Sequence, residues 1–313
     1  MNRINLIQET RNILAKTGFY ISDDNVSRLI CFDIVARRDN QLIIIKILTN
    51  VDSFSKENAR ELMVLAKLLN GVPLLIGEHS SQKKIEPGII YFRHNIPLVH
   101  ISTLTDFFTE GIPPLIFAAP GGFYVNIDGE VLHKTREAKK ISLGTLAEVA
   151  GVSRKAIQMY ENGMSTMIDV AIRLEEFLDI PLVKPLEPFT INSKSEEIRI
   201  EITKSTGIEN EIFNQLKELG YNVVPTIHCP FDALTKDSKV LIITGVGKPN
   251  KKVTEKARAL SNLSKITEYY SVMFLEKMLR KSNLEGTPII HTAELKKIAD
   301  SKDIITLISE RGD

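Results

Sequence analysis

Cysteine is scarce, with two in 313 residues, Cys31 and Cys229. They lie far apart in apolar runs, the usual setting of small buried thiols in a reducing compartment, and alone they cannot build a metal cluster. No stretch reaches the roughly 18 apolar residues that a bilayer span requires. The opening MNRINLIQET lacks the basic segment and apolar run of a secretion leader, so a cytoplasmic protein with no membrane partner is expected. A surplus of charge is also missing: the net charge is +1, which by itself says nothing about nucleic acid, because positive charge is needed only where phosphate is touched. No Gly-rich phosphate loop is present either. GVGKPN at 245–250 has neither the spacing nor the following Ser/Thr, reads as a turn, and leaves no cofactor or metal expected.

What is present is an ordinary folded composition, 43% hydrophobic and 25% charged, on a chain longer than one typical domain. The first third reads as α/β. An opening helix is followed by strands ICFDIVA and LIIIKIL around a DNQ hairpin turn, then a helix from about Lys56 to Leu69, then a buried strand PLLIG. The Pro/Gly concentration in IPPLIFAAPGG, at about 111–122, marks a first boundary, and PLVKPLEPFTINSKSE, from Pro181 to Glu196, a second. Three domains are expected: 1–118, 119–182 and 190–313.

The outer two look alike. GFYI, CFDIVARRDNQLIIIKI, a helix, GVPLLIG and IPLVHISTL in the first are answered by GYNVV, PFDALTKDSKVLIITGV, a helix, YSVMFLE and TPIIHTAEL in the last. Gly18 pairs with Gly220, Phe32-Asp33 with Phe231-Asp232, Asp39 with Asp237, Pro97 with Pro288, and His100 with His291. Shared strand-helix order would follow from any two α/β domains, but the recurrence of FD and of P-[LI]-[VI]-H at matching places points to duplication.

The middle segment HKTREAKKISLGTLAEVAGVSRKAIQMYENG carries the chemistry. Leu132, Arg136 and Lys139 lie along one helix. Ser142 caps a second that carries Leu143, Leu146, Ala147 and Ala150, and Gly151 ends it in the left-handed conformation that a tight turn demands. Val152 plugs the turn, Ser153 caps a third helix, and Ile157 with Tyr160 forms its inward stripe. Ala147 is small where two helices must cross closely. Arg154, Lys155, Gln158 and Met159 are left with no core to fill. Counting Lys134, Arg136, Lys139, Lys140, Arg154 and Lys155 against Glu137 and Glu148 leaves a local surplus of four positive charges over 134–155.

This pattern, with Gly-Val-Ser at 151–153, Ile157, Tyr160-Glu161-Asn162-Gly163 and the following TMIDVAIRLEEFLDI, resembles the helix-turn-helix of the Cro-like phage-repressor family over Val131 to Leu178. Leu143 departs from it, standing where the family often has a phosphate-touching glutamine. The resemblance implies that the third helix enters the major groove of double-stranded DNA. Arg154 and Lys155 could then donate to guanine or phosphate, and Gln158 could pair with adenine. Ser153, Met159, Lys134, Arg136, Lys139 and Lys140 complete the expected DNA-binding set. A plain solvated helix face is the alternative for these residues.

In the outer domains, Asp33 and Lys46 fit two positions of the restriction-endonuclease-like core. A nuclease needs a second carboxylate two residues before the lysine to hold a divalent cation, and Ile44 stands there. In the last domain Asp232 is kept, while Ile242 and Thr244 are expected where Glu and Lys would be needed. Both domains therefore read as degenerate nuclease-like α/β folds, with Asp33–Lys46 a structural ion pair and His100 and His291 core histidines. The whole chain resembles a group of archaeal helix-turn-helix regulators with a nuclease-like domain before a Cro-like module. The expectation is a non-enzymatic, sequence-specific transcriptional regulator: α/β outer domains around an all-α Cro-like domain, binding operator DNA as a homodimer, with any small-molecule effector unknown. The alternatives are a nuclease targeted by its helix-turn-helix and an antitoxin-like autoregulator.

Overall fold

A computed structural model describes residues 2–23, 31–189, 207–248, 251–276 and 281–312. The elements run α1 (Arg3–Lys16), β1 (Tyr20–Ile21), β2 (Ile34–Arg38), β3 (Gln41–Asn50), α2 (Lys56–Leu68), β4 (Val72–His79), β5 (Ile89–Arg93), β6 (Ile96–Val99) and α3 (Ile101–Thr109). Next come β7 (Ile116–Ala119), β8 (Gly122–Ile127), α4 (Gly129–Ala138), α5 (Leu143–Ala150), α6 (Arg154–Glu161), β9 (Thr166–Met167), α7 (Ile168–Leu178) and β10 (Val183–Lys184). The last stretch holds α8 (Ile208–Glu218), β11 (Asn222–Pro225), β12 (Ala233–Lys236), β13 (Leu241–Gly247), α9 (Lys251–Thr267), β14 (Tyr270–Leu275), β15 (Asn283–Leu284), β16 (Thr287–His291), α10 (Thr292–Leu295) and α11 (Ser301–Arg311). No described helix is long and apolar enough to cross a membrane.

Two compact units result. The first comprises Met1–Thr17, Ile47–Phe54 and Leu74–Thr190, the second Gly18–Lys46, Ser55–Pro73 and Ile191–Asp313. Residues 1–118, read from the sequence as one domain, contribute to both.

In the first unit α1 forms because Asn2 caps it, accepting from the Asn5 amide at 2.9 Å, and because Leu6, Ile13 and Leu14 fall on one face. That face is buried, and α1 packs with α3. β4 runs parallel to β6, and β5 is antiparallel to β6 and parallel to β7. β8 is antiparallel to β7, β9 and β10. The Pro/Gly-rich stretch at 111–122 is therefore more than a connection, since it holds β7, which joins β5 on one side and β8 on the other. Its prolines fall before the strand and in the turn after it, where no ladder amide is lost. The hairpin turn lies at Pro120–Gly121, and Asp128-Gly129 opens α4: the Asp128 carboxylate accepts from the Val131 amide at 3.0 Å. Of the second expected boundary, residues 181–189 include β10, and 190–196 lie outside the described residues.

In the second unit, β1, β2 and β3 form antiparallel pairs, and Asp39 turns the hairpin with φ of 51°. β2 begins at Ile34, so Cys31, Phe32 and Asp33 precede the strand expected to contain them. β11, β12 and β13 pair antiparallel, β13–β14 and β14–β16 pair parallel, and β15 closes on β16 antiparallel. α8, α10 and α11 pack with this sheet around Phe213, Phe274 and Ile290, while α9 covers β13, β14 and β16 and also touches β2.

Pairings in the two outer parts of the chain follow one scheme. β1/β2/β3 matches β11/β12/β13, and parallel β4/β6 with antiparallel β5/β6 matches β14/β16 with β15/β16. Gly18 and Gly220 both take positive φ, 83° and 92°, just beyond the caps of α1 and α8. Pro97 pairs with Phe92 across β5/β6 as Pro288 does with Asn283 across β15/β16. The His100 imidazole accepts from the Ser102 amide at the start of α3, and His291, buried, occupies the N-cap of α10.

Candidate nucleic-acid interface

The middle helices pack around Leu132, Leu146, Ala147, Ala150, Ile157, Tyr160, Leu174 and Leu178, with Val125 and Ile127 of β8 closing the same core. Gly151 adopts φ 70°, ψ 33°, and the Val152 amide returns to the Ala147 carbonyl at 3.0 Å, so α5 stops in one residue and the chain re-enters α6. The Ser153 hydroxyl accepts from the Ala156 amide at 3.1 Å. Ser142 caps α5 in the same way, on the Thr145 amide at 3.0 Å. Ile157 and Tyr160 point inward. Their spacing turns Arg154, Lys155, Gln158 and Met159 to solvent, with Met159 43% exposed. The Arg154 guanidinium lies back over α5, where a Cβ at Gly144 would stand 3.1 Å from its nitrogens. The N-terminal ends of α5 and α6, both capped by serine, thus share one corner with an arginine across it.

Two of the expected basic residues are committed elsewhere. Arg136 Nε donates to Glu161 Oε1 at 2.5 Å, with the two side chains only 13% and 10% exposed, and its Nη1 donates to the Ile141 carbonyl. The hydrogen bond it donates to Glu161 holds the guanidinium charged more firmly still. Lys139 Nζ donates to the Leu178 carbonyl, satisfying the C-terminal end of α7. Lys134 forms an exposed i,i+4 pair with Glu130, whose hydrogen bond raises its pKa. Lys140 is exposed with φ of 56° in the turn before α5. The surplus of four charges over 134–155 left out Glu130 and Glu161, just outside that window. The outward positive charge is therefore narrower than the count implied, and centres on Arg154, Lys155 and Lys140.

Glu161 was read from the sequence only as part of the Tyr-Glu-Asn-Gly pattern, with no role of its own. Burial would raise its pKa, but hydrogen bonds from Arg136 and His133, the latter with Nδ1 3.0 Å from Oε2, together hold it below the ordinary value. This network ties α4 to the end of α6 and sets the angle at which α6 is presented. Gly129 does the same from the other side: a Cβ there would lie 2.5 Å from the Tyr160 and Glu161 carbonyl oxygens, so the start of α4 can approach only as glycine. The sequence signal for both was available, the Glu in Tyr-Glu-Asn-Gly and the Gly after Asp128, but neither residue's partner is near it in the chain. Arg173 adds a further brace, donating to the Ala150 carbonyl at 3.1 Å.

The profile of a helix-turn-helix domain matches residues 132–184, and that of the PD-(D/E)XK superfamily domain matches residues 3–114. A protein of Methanocella arvoryzae, named a putative HTH-type transcriptional regulatory protein, is 38% identical over 99% of this chain and 97% of its own. Proteins of the same description from Methanococcoides burtonii, at 39% identity over 98% of the chain and 97% of its own, and Natronomonas pharaonis, at 37% over the full length of both, are similar to it too. The chain belongs to this family of archaeal HTH-type regulatory proteins. No solved structure matches it.

In this family member the nuclease-like fold presents an altered set of groups. Lys46 Nζ lies 3.4 Å from Asp33 Oδ1, both side chains about nine-tenths covered, an ion pair between β3 and the residue just before β2. Ile44 is fully buried where a second carboxylate would be needed. The last part of the chain differs from its expected register by one residue. The Asp33 amide donates to the Ile45 carbonyl and the Asp232 amide to that of Thr244, which puts Ile243 and Gly245, rather than Ile242 and Thr244, at the positions equivalent to Ile44 and Lys46. A side chain at 245 would crowd the core on that face, its Cβ standing 2.6 Å from Leu260 Cδ1 and 2.9 Å from Met273 Cε, so both would have to shift. The cation comes from α9 instead: Lys256 Nζ bonds both Asp232 oxygens at 2.7 and 2.8 Å and the Val246 carbonyl at 2.9 Å. GVGKPN belongs to β13 through Gly247, and its last two residues lie outside the described residues.

Proposed function

We propose that the protein is a sequence-specific transcriptional regulator that binds operator DNA as a homodimer, with α6 of each copy in the major groove. The observation that carries this reading is the outward row of Arg154, Lys155, Gln158 and Met159 on a helix whose other face, cap and preceding turn are all fixed. Such a helix presents its N-terminal residues to base edges while the helix before it crosses the backbone. Gln158 supplies the amide pattern that pairs with adenine, and Arg154 and Lys155 supply donors for guanine or phosphate. Ser153, Lys134 and Lys140 are assigned as phosphate-side groups on this reading, whereas Arg136 and Lys139 act inside the module. One helix-turn-helix covers few base pairs, so selectivity calls for two copies with recognition helices about 34 Å apart. The relatives' names, which concern transcriptional regulation, support the same reading, and DNA binding places the work in the cytoplasm.

The nuclease-like parts serve, on this reading, as non-cleaving scaffold or effector-sensing folds, and the recurring strand pairings support their origin by duplication, with 1–118, 119–182 and 190–313 as the three segments. A hydrolytic site needs two carboxylates on one cation. Ile44 denies this to the first, and Lys256 neutralises Asp232 in the last.

Selection of bound sequences from a random duplex pool, followed by binding with Arg154→Ala and Gln158→Ala and incubation with plasmid in magnesium, tests the proposal. Enrichment of a two-fold-symmetric site that the substitutions degrade, with plasmid left intact, supports it. No enrichment, or metal-dependent cutting, defeats it.

A further inference from the structure

The two cysteines, 198 positions apart, come together in the second unit with Sγ atoms 3.3 Å apart. Their meeting is built by backbone hydrogen bonds on both sides. The Cys31 amide donates to the His228 carbonyl at 2.8 Å, and two residues on, the Asp33 amide is tied to Ile45 at 2.7 Å. The loop carrying Cys229 is closed by the Thr226 amide on the Asp232 carbonyl at 2.9 Å and the Thr226 hydroxyl on the Phe231 carbonyl at 2.7 Å. His228 is further pinned by Glu61, 2.9 Å away. Each thiol stands just before a matching element, Cys31 before Phe32-Asp33 and Cys229 two residues before Phe231-Asp232.

We propose that Cys31 and Cys229 form a thiol-oxidation site, closing to an intrachain disulfide when a peroxide removes two electrons from the pair. Cys31 is buried and Cys229 only partly so, which makes Cys229 the sulfur a small oxidant reaches first. The Cys229 thiolate attacks one peroxide oxygen, the O–O bond breaks, and hydroxide leaves to take up a proton, giving a sulfenic acid and water. Cys31 sulfur then attacks Cys229 sulfur, the S–O bond breaks, and a second water carries off the oxygen with the Cys31 proton. Two thiols and one hydrogen peroxide become one disulfide and two waters. Closing the remaining gap to bonding distance takes a little over an ångström of movement of two short side chains.

A metal is the other common use of paired thiols, but among the described residues no group of three or more His, Cys, Asp or Glu could hold one, and the His228 Nδ1 is turned to Glu61. A hydrogen bond with Cys31, together with burial, pushes the Cys229 thiol up. The thiolate fraction at neutral pH is therefore small and reaction with peroxide slow, which suits a site that responds to sustained oxidation rather than a peroxide-reducing catalyst. In a reducing cytoplasm such a bond is transient and readable as a signal.

The experiment uses the full chain, reduced and then exposed to a modest molar excess of hydrogen peroxide, blocked with iodoacetamide under denaturing conditions and weighed intact. The expected product carries no alkyl group and is lighter than the reduced chain by two hydrogens. A non-reducing digest then gives one linked pair of peptides containing Cys31 and Cys229, which dithiothreitol separates. The Cys31→Ser chain should give no linked pair and instead retain oxygen on Cys229, whereas the Cys229→Ser chain should give no linked pair and an alkylated, unoxidised Cys31. Two alkylated thiols after peroxide, oxygen on either sulfur of the unsubstituted chain with no linked pair, or cross-linking only between copies would each overturn the proposal. None of these readouts depends on DNA binding, so the regulator reading and this one fail separately.

Discussion

At the C-terminal end of α6 the Glu161 carboxylate is nearly enclosed, and it stays ionised because Arg136 and His133 bond both of its oxygens. Its pKa in the folded state lies below the ordinary 4.5. The stability it contributes is thus fully present above about pH 4.5 and is lost as pH falls through the lower folded value. Glu161→Gln should cost about 3 kcal/mol at pH 7, because it strands a largely covered guanidinium. The difference in urea midpoint between the substituted and unsubstituted chains should shrink as the pH is taken below 4. An unchanged gap across that range would mean the ion pair is not the source. Gln158 sits on the same helix with the opposite logic. It is exposed, so Gln158→Ala should leave the melting temperature where it is while costing about 1–3 kcal/mol of discrimination between the selected operator and one altered at a single base pair, measured by competition anisotropy.

Helices α4, α5 and α6 are each short, so their termini decide their geometry. Asp128, Ser142 and Ser153 cap all three, and Gly151 ends α5 in a left-handed conformation that lets α6 start three residues later. Ser153→Ala should lower unfolding stability by about 1 kcal/mol. Gly129→Ala should cost more, about 2 kcal/mol, since the added methyl meets backbone rather than a side chain that can swing away. Urea titration of both variants checks this order, and a Gly129→Ala chain as stable as the original would show that α4 and α6 do not approach as closely as described. The β7–β8 hairpin belongs to the same scale. Val125 and Ile127 of β8 face the helical core, so the module is braced by a strand whose hairpin partner, β7, lies in a stretch whose composition looks like a linker.

For the molecule as a whole, affinity for DNA should fall steeply with salt, since each phosphate contact releases a counterion and adds about 0.9 to the slope of log K against log salt. Lys155→Ala is expected to reduce that slope by about one per protomer. Arg136→Ala, although it removes the same charge, should destabilise the fold without lowering the slope of whatever remains folded, because its guanidinium faces Glu161 and not solvent. Equal changes in slope would return Arg136 to the DNA-facing set. Sedimentation equilibrium of the free chain should give a mass of two copies, and a monomer at every concentration, with or without operator, would defeat the dimeric reading.

The order of strands and helices, the boundaries of α2 and the helix-turn-helix were legible because they depend on neighbours in the chain. Apolar spacing sets which face is buried, and Ser153 and Gly151 act within one turn of where they stand. The nuclease-like character of the first part was legible for a related reason, as Asp33 immediately precedes β2 and Lys46 lies on β3, and the two-residue hairpin joining those strands fixes their separation. Contacts across long separations decided the rest. Whether Arg136 serves DNA or Glu161 depends on how α4 crosses α6, and whether a lysine faces Asp232 depends on helix α9 rather than the strand. The two thiols show the limit most plainly. In the sequence they are isolated apolar residues, and only the folding of two distant loops against each other places one sulfur beside the other, because pairing energy acts through space while sequence pattern acts along the chain.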